Sequence, residues 1–297
     1  MMRRSLDGVL LLDKPAGVGS NAVLQAVKRL YGAAKAGHAG TLDPLASGLL
    51  VVLFGEATKF AQLALDADKE YMARACLGVT TDTADAEGRV LERRPCTVRE
   101  ADIEPTLARF RGEIEQIPPM YSALKRAGRP LYELARAGHE VPRAARRIRV
   151  QELQHLGFRD DSLELRVRCS KGTYVRTLVE DIGRALGCGA HLAALRRTRS
   201  GGLRIEDATT LDALQRDTPA GRDSRLLPVE RLLTGLPRVD LPAVLAERFA
   251  RGQVLHMEQA PAGQCSVYGQ QGRLLGLGEG RAAGELRPRR LVSHASG

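Results

Sequence analysis

Strand-like and helix-like segments alternate along most of the chain, and this alternation restricts the fold more than any other feature. In residues 163–169 apolar side chains alternate with charged ones, the period of two that indicates a half-buried strand. Apolar residues at helical spacing follow in residues 175–186, and Gly187 is placed to end that helix. Short apolar runs at residues 8–12 and 49–54 indicate buried strands. Intermixed elements of this kind predict a mixed sheet flanked by helices.

Helix starts can be predicted from side chains that cap a helix N-terminus. Ser20 or Asn21 is placed to begin a helix after a glycine-containing loop, and Thr173 is placed to begin the helix that Gly187 ends. Residues 97–100 have the spacing of a capping box, and Pro105 is expected to divide the helix that follows.

The last part of the chain has a different composition. Pro228, Pro237 and Pro242 interrupt any helical periodicity, which predicts a domain boundary near Leu236. The glycine-rich remainder contains two short strand candidates, at residues 265–268 and 274–277. A β-rich domain of about 60 residues is marginal alone, so we expect it to dock on the first domain.

Composition places the chain among globular proteins. Of the 297 residues 43% are apolar and 27% charged, and no apolar stretch approaches the roughly 18 residues of a membrane helix. The apolar run behind the basic start ends at Asp13 and Lys14, too soon for a signal peptide. Five cysteines and six histidines show no metal-binding spacing. A cytoplasmic protein with reduced thiols and no metal site is predicted.

Basic charge is concentrated in one segment. The whole chain has a net charge of +10, and residues 118–150 contain eight basic and two acidic side chains. The basic ones are Lys125, Arg126, Arg129, Arg136, Arg143, Arg146, Arg147 and Arg149. A solvated face usually mixes the two signs, so the segment favours an element that follows the phosphates of a nucleic acid.

Two familiar motifs are too incomplete to assign a function. Gly17 and Gly19 follow a strand, which suggests a phosphate site at a helix N-terminus, but no complete nucleotide-binding motif is present. Residues 122–125 match S-x-x-K without the K-T-G box that accompanies it in penicillin-recognising enzymes.

Residues 36–50 place one acid, Asp43, in a loop of small residues between two apolar elements. An Asp-Pro pair is most often a turn. Here the small neighbours, with His38 five residues earlier, leave room for a planar ring to approach the carboxylate.

At this point the sequence resembles a known family. Residues 37–48 (GHAGTLDPLASG) are similar to the signature of the TruB family of tRNA pseudouridine-55 synthases. Six further blocks resemble family motifs in family order: residues 8–15 (GVLLLDKP), 68–71 (DKEY), 81–88 (TDTADAEG), 117–125 (IPPMYSALK), 169–177 (CSKGTYVRT) and 186–197, with LGCGAHL and LRR. Ala39 stands where the family more often has Thr or Ser, a departure that concerns hydrogen bonding in the loop.

The resemblance implies the roles of the site residues. Asp43 would be the nucleophile, attacking either ribose C1′ or uracil C6. Arg176 would pair with it and Asp85 would hold Arg176, since a carboxylate in a pocket shaped for a base needs a cation. The residues implied to bind the flipped-out uridine are His38, Tyr71, Tyr174 and Leu195. Tyr71 would stack on the base, because a phenol with a pKa near ~10 is a poor base.

The resemblance also implies the fold and the partner. It predicts an α+β pseudouridine synthase fold, with a mixed, largely antiparallel sheet flanked by helices over residues 1–235. Residues 118–150 would be an inserted RNA-gripping region, and residues 236–297 a small β-rich PUA-like domain. The RNA backbone would be bound by Lys14, Lys125, Arg126, Arg129, Arg143, Arg146, Arg147 and Arg149. The expected partner is the T stem-loop of tRNA, bound by a monomer that needs no cofactor and no membrane.

Three functions therefore stay open at the level of sequence. The first is a cofactor-free uridine isomerase acting on tRNA. The second is a non-catalytic protein that binds or folds tRNA, which would not need the set of Asp43, Tyr71 and Arg176. The third is a nucleotide-binding enzyme that uses the loop at residues 17–19, which added nucleotide would stabilise against heat.

Overall fold

The computed structural model describes residues 3–122, 124–126 and 128–293. The strands are β1 Gly8–Lys14, β2 Ala36–Ala39, β3 Ser47–Phe54, β4 Lys69–Leu77, β5 Val79–Thr81, β6 Val90–Arg93, β7 Gly112–Gln116, β8 Lys125–Arg126, β9 Arg129–Pro130, β10 Arg146–Arg159, β11 Ser162–Cys169, β12 Ala190–Ser200, β13 Leu203–Arg204, β14 Thr209–Thr210, β15 Arg238–Asp240, β16 Leu255–His256, β17 Gly263–Tyr268, β18 Leu274–Gly280 and β19 Glu285–Leu291. The α-helices are α1 Ser20–Leu30, α2 Ala61–Asp66, α3 Glu100–Ala108, α4 Leu131–Arg136, α5 Val175–Ala185, α6 Leu211–Arg216, α7 Pro219–Asp223 and α8 Ala243–Ala250. Short 3-10 helices cover Gly55–Phe60, Ile205–Asp207, Val229–Leu232, Gln270–Gly272 and Ala282–Gly284.

One large sheet organises the first part of the chain. Its main path runs β14, β1, β3, β12, β4, β11, β10 and β7, with β2 beside β3 and β13 beside β12. In the described residues β1–β14 and β3–β12 pair in parallel, and the other neighbours pair antiparallel. This mixed, largely antiparallel sheet with helices confirms the α+β prediction.

The helices cover the sheet through separate apolar clusters. Helices α3 and α5 pack on β4, β10, β11 and β12, with Leu107, Leu178 and Ile182 buried against the strands. Helices α1 and α6 pack on β1 and β3, where Val27 and Leu214 are fully buried. The periodicities of β11 and α5 therefore correctly predicted which side chains face the core.

Four neighbouring strands bring distant parts of the sequence together. Strands β3, β12, β4 and β11 are adjacent in that order. The loop before β3 carries Asp43, β12 carries Leu195, β4 carries Tyr71, and β11 leads into helix α5, which carries Arg176. The topology thus places the predicted site residues on one region of the sheet.

Local helix starts differ from the predictions. Gly19 precedes α1, and the Ser20 hydroxyl bonds Leu42 instead of capping the helix. Tyr174 precedes α5, because the Thr173 hydroxyl donates to Ser170 O.

The capping box that was predicted at residues 97–100 is wrong. Helix α3 begins after Arg99, and Asp102 Oδ2 accepts from Arg99 N at 3.1 Å, which is the carboxylate half of a capping box two positions further along. Pro105 lies inside α3 without dividing it. Proline has no N–H and cannot donate a hydrogen bond within the helix. The burial of Ile103 and Leu107 against the sheet offsets this loss.

The C-terminal part forms a second sheet, in the order β15, β17, β18, β19 and β16, with α8 packed on it. Both predicted strands are present, as β17 and β18. Tyr268, Leu274 and Leu277 belong to the same buried cluster as Val9 and Phe60 of the first part. The small sheet is therefore docked, as expected for a unit of its size.

Candidate active site

The loop that carries Asp43 connects β2 to β3 and is held by three other parts of the chain. The Ser20 hydroxyl donates to Leu42 O and accepts from Leu42 N, both at 2.8 Å. Gly17 N donates to Pro44 O at 2.8 Å. The Arg197 Nη2 donates to Gly40 O at 2.9 Å. Because its backbone is bound on several sides, the loop presents Asp43 in one fixed position.

Asp43 faces a cavity of about 370 Å³. The carboxylate side chain is 41% exposed, so the cavity is open to solvent at the acid. The other lining residues come from the Asp43 loop, the end of α2, β4, positions 122 and 124, the β11–α5 loop, the start of α5 and β12. They are Gly40, Thr41, Leu42, Leu65, Lys69, Tyr71, Ser122, Leu124, Ser170, Lys171, Gly172, Thr173, Tyr174, Val175, Arg176, Leu195 and Arg197.

Arg176 lies between two carboxylates. Its Nε is 3.0 Å from Asp43 Oδ2 and its Nη1 is 3.3 Å from Asp85 Oδ2. The guanidinium is 5% exposed and also donates to Thr83 O and Tyr121 O. It belongs to the first turn of α5, where the helix dipole adds positive potential beside Asp43. The three charged residues that the family resemblance implied are therefore in contact.

Asp85 is held in place by the hairpin that contains it. Its Oδ1 accepts from Thr83 Oγ1 at 2.6 Å and from Glu87 N at 3.1 Å. Its side chain is 4% exposed, and its backbone carbonyl accepts from the Thr81 hydroxyl. Such a buried, bonded carboxylate can fix the orientation of Arg176.

Burial raises the pKa of Asp43 above its usual range, and the nearby charge of Asp85 raises it further. The Arg176 guanidinium opposes both effects. Arg176, with a smaller effect of the Lys14 charge, therefore favours the carboxylate form of this acid.

Tyr71 and Tyr174 line the cavity, and burial raises the pKa of both phenols. Both rings are therefore neutral at physiological pH, which suits packing against a base better than removing a proton. Gln116 holds the Tyr174 backbone through two hydrogen bonds, to Tyr174 O and from Tyr174 N. Leu195 completes the apolar side of the cavity and is 9% exposed.

His38 is placed differently from the other predicted substrate residues. It lies on β2, opposite Val52 of β3, and is not part of the cavity lining. Its Nδ1 is buried without a hydrogen-bond partner, and burial, followed by the charge of Arg197, lowers its pKa. The ring is therefore neutral, and its predicted contact with the substrate stays a prediction.

Lys14 was predicted to contact the RNA backbone, and this is wrong. Its side chain is fully buried, and Nζ donates to Pro15 O at 2.8 Å and to Val18 O at 2.5 Å. Burial lowers its pKa to about 8. Lys14 supports the loop after β1 and cannot reach a phosphate.

The basic segment is exposed where the structure describes its side chains. Arg129, Arg146, Arg147 and Arg149 are exposed, and the last three lie on β10. Arg143 is half-buried and 3.2 Å from Glu140. The side chains of the predicted contacts Lys125 and Arg126 lie outside the described residues.

Sequence reasoning missed four residues that shape the site: Ser20, Gln116, Lys69 and Arg197. Lys69 donates to three backbone carbonyls, of Ala64, Leu65 and Ala67. Lys69 lies in the DKEY motif at residues 68–71, and Arg197 lies in the LRR motif at residues 195–197. These family motifs are the sequence signal by which both residues could have been found.

No group of three or more His, Cys, Asp or Glu side chains in the described ranges could hold a metal ion. Among the helices that are described, none has the length and apolar character needed to cross a membrane.

Comparison with family profiles gives three consecutive matches. Residues 28–175 match the N-terminal domain of TruB family pseudouridylate synthases. Residues 176–234 match the C-terminal domain of tRNA pseudouridylate synthase B, and residues 237–292 match the C-terminal part of pseudouridine synthase II TruB.

Curated relatives are similar over nearly their whole length. The tRNA pseudouridine synthase B of Burkholderia mallei is 56% identical over 299 residues, which cover 98% of this chain and 99% of the relative. The protein of the same name from Aromatoleum aromaticum is 55% identical over 291 residues, covering 98% and 94%.

Solved structures show the same fold. A chain in the crystal structure of a Cbf5-Nop10-Gar1 complex matches with a TM-score of 0.72 and 30% identity, over 93% of this chain and 79% of its own. A chain in an H/ACA RNP bound to a substrate RNA containing 2′-deoxyuridine matches with a TM-score of 0.73 and 25% identity, over 97% and 86%.

Proposed function

Because the chain belongs to the TruB family of pseudouridylate synthases, we propose that it isomerises the uridine at position 55, in the T arm of tRNA, with Asp43 as the nucleophile. The observation that carries the assignment of Asp43 is its position. The carboxylate faces a cavity while Arg176 Nε lies 3.0 Å from it.

The chemistry explains why one carboxylate is enough. Forming pseudouridine breaks the bond between ribose C1′ and uracil N1, turns the base, and joins C1′ to C5. Electrons and atoms balance within the substrate, so neither a redox cofactor nor water is consumed. A nucleophile is needed to hold one fragment while the other turns. Asp43 can serve by attacking C1′ or C6.

The remaining lining residues support a flipped-out base. A uridine in a folded loop must leave its stack to reach Asp43, at a cost of a few kcal/mol. Stacking on Tyr71 and packing against Tyr174 and Leu195 would offset part of this cost. Contacts of Arg129, Arg143, Arg146, Arg147 and Arg149 with phosphates would offset more. Lys125 and Arg126 belong to the same proposed contact region.

The domain division and the setting are part of the same proposal. Residues 1–235 would form the catalytic domain, and residues 236–297 a PUA-like domain that adds RNA contacts. We expect a cytoplasmic monomer that binds the T stem-loop.

The test is to incubate unmodified tRNA with the pure protein, without metal or nucleotide, and to map pseudouridine chemically. Conversion at position 55 is expected for the unaltered protein. Asp43→Asn should give none, while its affinity for tRNA changes by no more than about three-fold, since one neutralised side chain removes no phosphate contact.

Asp160→Asn is the matched control, because Asp160 is exposed in the β10–β11 turn and far along the sheet from the cavity. It should convert tRNA at the normal rate. Pseudouridine formed by Asp43→Asn in a single turnover would remove Asp43 from the role of nucleophile. If the wild-type chain binds tRNA but converts no uridine, the result would favour a tRNA-binding protein that has no catalytic activity.

A further inference from the structure

We propose that Arg197 is a positioning residue of this active site, which holds both Tyr71 and the Asp43 loop in the places from which they meet the flipped-out uridine. The inference rests on the proposed function, because it concerns the same cavity and the same reaction.

Arg197 is tied to the backbone on both sides of Asp43, in the loop and in β3. Its Nη2 donates to Gly40 O at 2.9 Å, before the acid, and its Nε donates to Leu49 O at 2.7 Å, after it. Gly40 has a φ of +88°, and a Cβ there would stand 3.2 Å from Arg197 Nη1. The glycine therefore lets the guanidinium approach the loop closely.

The same side chain reaches Tyr71. Arg197 of β12 and Tyr71 of β4 are directly opposite in the antiparallel pairing, and both line the cavity. The charge of the guanidinium opposes the burial that raises the pKa of the Tyr71 phenol. The arginine that holds the loop of the proposed nucleophile therefore also stands beside the stacking ring.

The charge of Arg197 is not neutralised by an acid. The side chain is 1% exposed, yet within the described part of the chain it makes no ion pair. In contrast, Arg176 contacts two carboxylates, and Arg196, the next residue along β12, pairs with Asp13 at 2.7 Å.

An arginine that only fills a core is rarely buried without a paired acid, because desolvating its charge is costly. A fork of rigid N–H donors that reaches backbone carbonyl groups on both sides of Asp43 is a reason to retain it. A lysine ammonium donates from a single point, so we do not expect it to keep both bonds, which Arg197 makes from two different nitrogens.

The first experiment compares single-turnover rates of tRNA conversion. Arg197→Met keeps the stem and removes the donors, and it should lower the rate by about 100-fold, as expected when reacting groups shift by about 1 Å. Its affinity for tRNA should change by less than about three-fold, because the side chain is buried and not exposed to a phosphate. Arg196→Met, on the same strand but paired with Asp13 and 43% exposed, should keep the normal rate.

Thermal unfolding would verify that each variant is folded. If Arg197→Met does not fold, Arg197→Lys replaces it in the test, since it keeps the charge but not the fork. We expect Arg197→Lys to be slowed as well, by at least about 10-fold, because it loses at least one of the bonds to Gly40 O and Leu49 O. A normal rate in either folded variant would overturn the inference.

A double-mutant cycle separates positioning from general damage to the fold. If Arg197 positions the Tyr71 ring that stands opposite it, Tyr71→Ala should slow the reaction, and combining it with Arg197→Met should slow it by less than the product of the two single effects. Effects that simply multiply would overturn the link between the two residues. Absence of conversion by the wild-type chain would instead reject the proposed function itself.

Discussion

Two carboxylates share one cation at the centre of the cavity wall. Arg176 lies 3.0 Å from Asp43 and 3.3 Å from Asp85, and both acids carry a negative charge when ionised. Burial and Asp85 raise the pKa of Asp43, while Arg176 lowers it. The nucleophile that we propose must be ionised to attack, so the rate should fall as the pH drops through this raised pKa.

Asp85→Asn tests this balance of charges. The amide keeps the shape and can still accept from Thr83 Oγ1, but a like charge near Asp43 is lost. The pKa of Asp43 should fall, so the acidic limb of the single-turnover pH profile should move to lower pH. The maximal rate should also fall, by about 10-fold, because Arg176 loses its orienting partner.

Asp82→Asn is the control for that measurement. Asp82 is exposed in the same hairpin and bonds Arg89 N, away from Arg176. Asp82→Asn should leave the acidic limb of the pH profile at the same pH. An acidic limb that stays fixed or moves to higher pH in Asp85→Asn would contradict the proposed charge balance.

At the scale of elements, the site depends on how closely β3 and β12 approach. Gly48 of β3 has a φ of +98°, and a Cβ there would stand 2.3 Å from Arg197 O and 2.8 Å from Arg197 N. The two strands therefore meet at a position where only a glycine fits. This contact lies directly after the Asp43 loop.

Gly48→Ala should force the two strands apart. We expect a loss of about 1–3 kcal/mol in the free energy of unfolding, from strain at a positive φ and overpacking. Conversion should slow at the same time, because Arg197 and the loop move together. Urea unfolding and single-turnover rates measure both effects.

Gly37→Ala on β2 provides the comparison. No atom lies within 4 Å of a Cβ at Gly37. It should be nearly neutral in stability. If the two alanine variants lose the same free energy of unfolding, the close approach of β3 and β12 is not the reason for a glycine at position 48.

Periodicity and motifs predicted part of this arrangement. The alternation in β11 and the stripe in α5 are local patterns, and both were confirmed. The bonds that fix the loop join residues 22 and 157 positions apart in the chain, and no local pattern encodes them. The motif at residues 8–15 specifies a lysine at position 14 but not where its side chain points, so the burial of Lys14 was not predicted. Arg197 was overlooked for the same reason.

At the scale of the whole molecule, the two sheets share apolar core. Tyr268 and Leu277 of the second sheet are buried together with Val9 and Phe60 of the first. Lys59 Nζ also donates to Leu291 O at 3.1 Å. Separating the two parts would expose this surface to water, which opposes independent unfolding.

The full chain should therefore unfold in a single calorimetric transition. Leu277→Ala removes side-chain volume from the shared core and should lower stability by about 2–5 kcal/mol while weakening that coupling. Two well-resolved transitions in the unaltered protein would contradict the importance of the shared core.

The opening beside Asp43 has a consequence for which molecules can react. With 41% of that side chain exposed, water can reach any bond formed between the protein and the sugar or base. Under the function we propose, hydrolysis there would leave damaged RNA, so we expect the bound RNA to cover the opening while the bond exists. A free nucleoside is too small to cover it, and we therefore expect it to be a poor substrate, whereas a folded RNA arm laid across the entrance would protect the reaction.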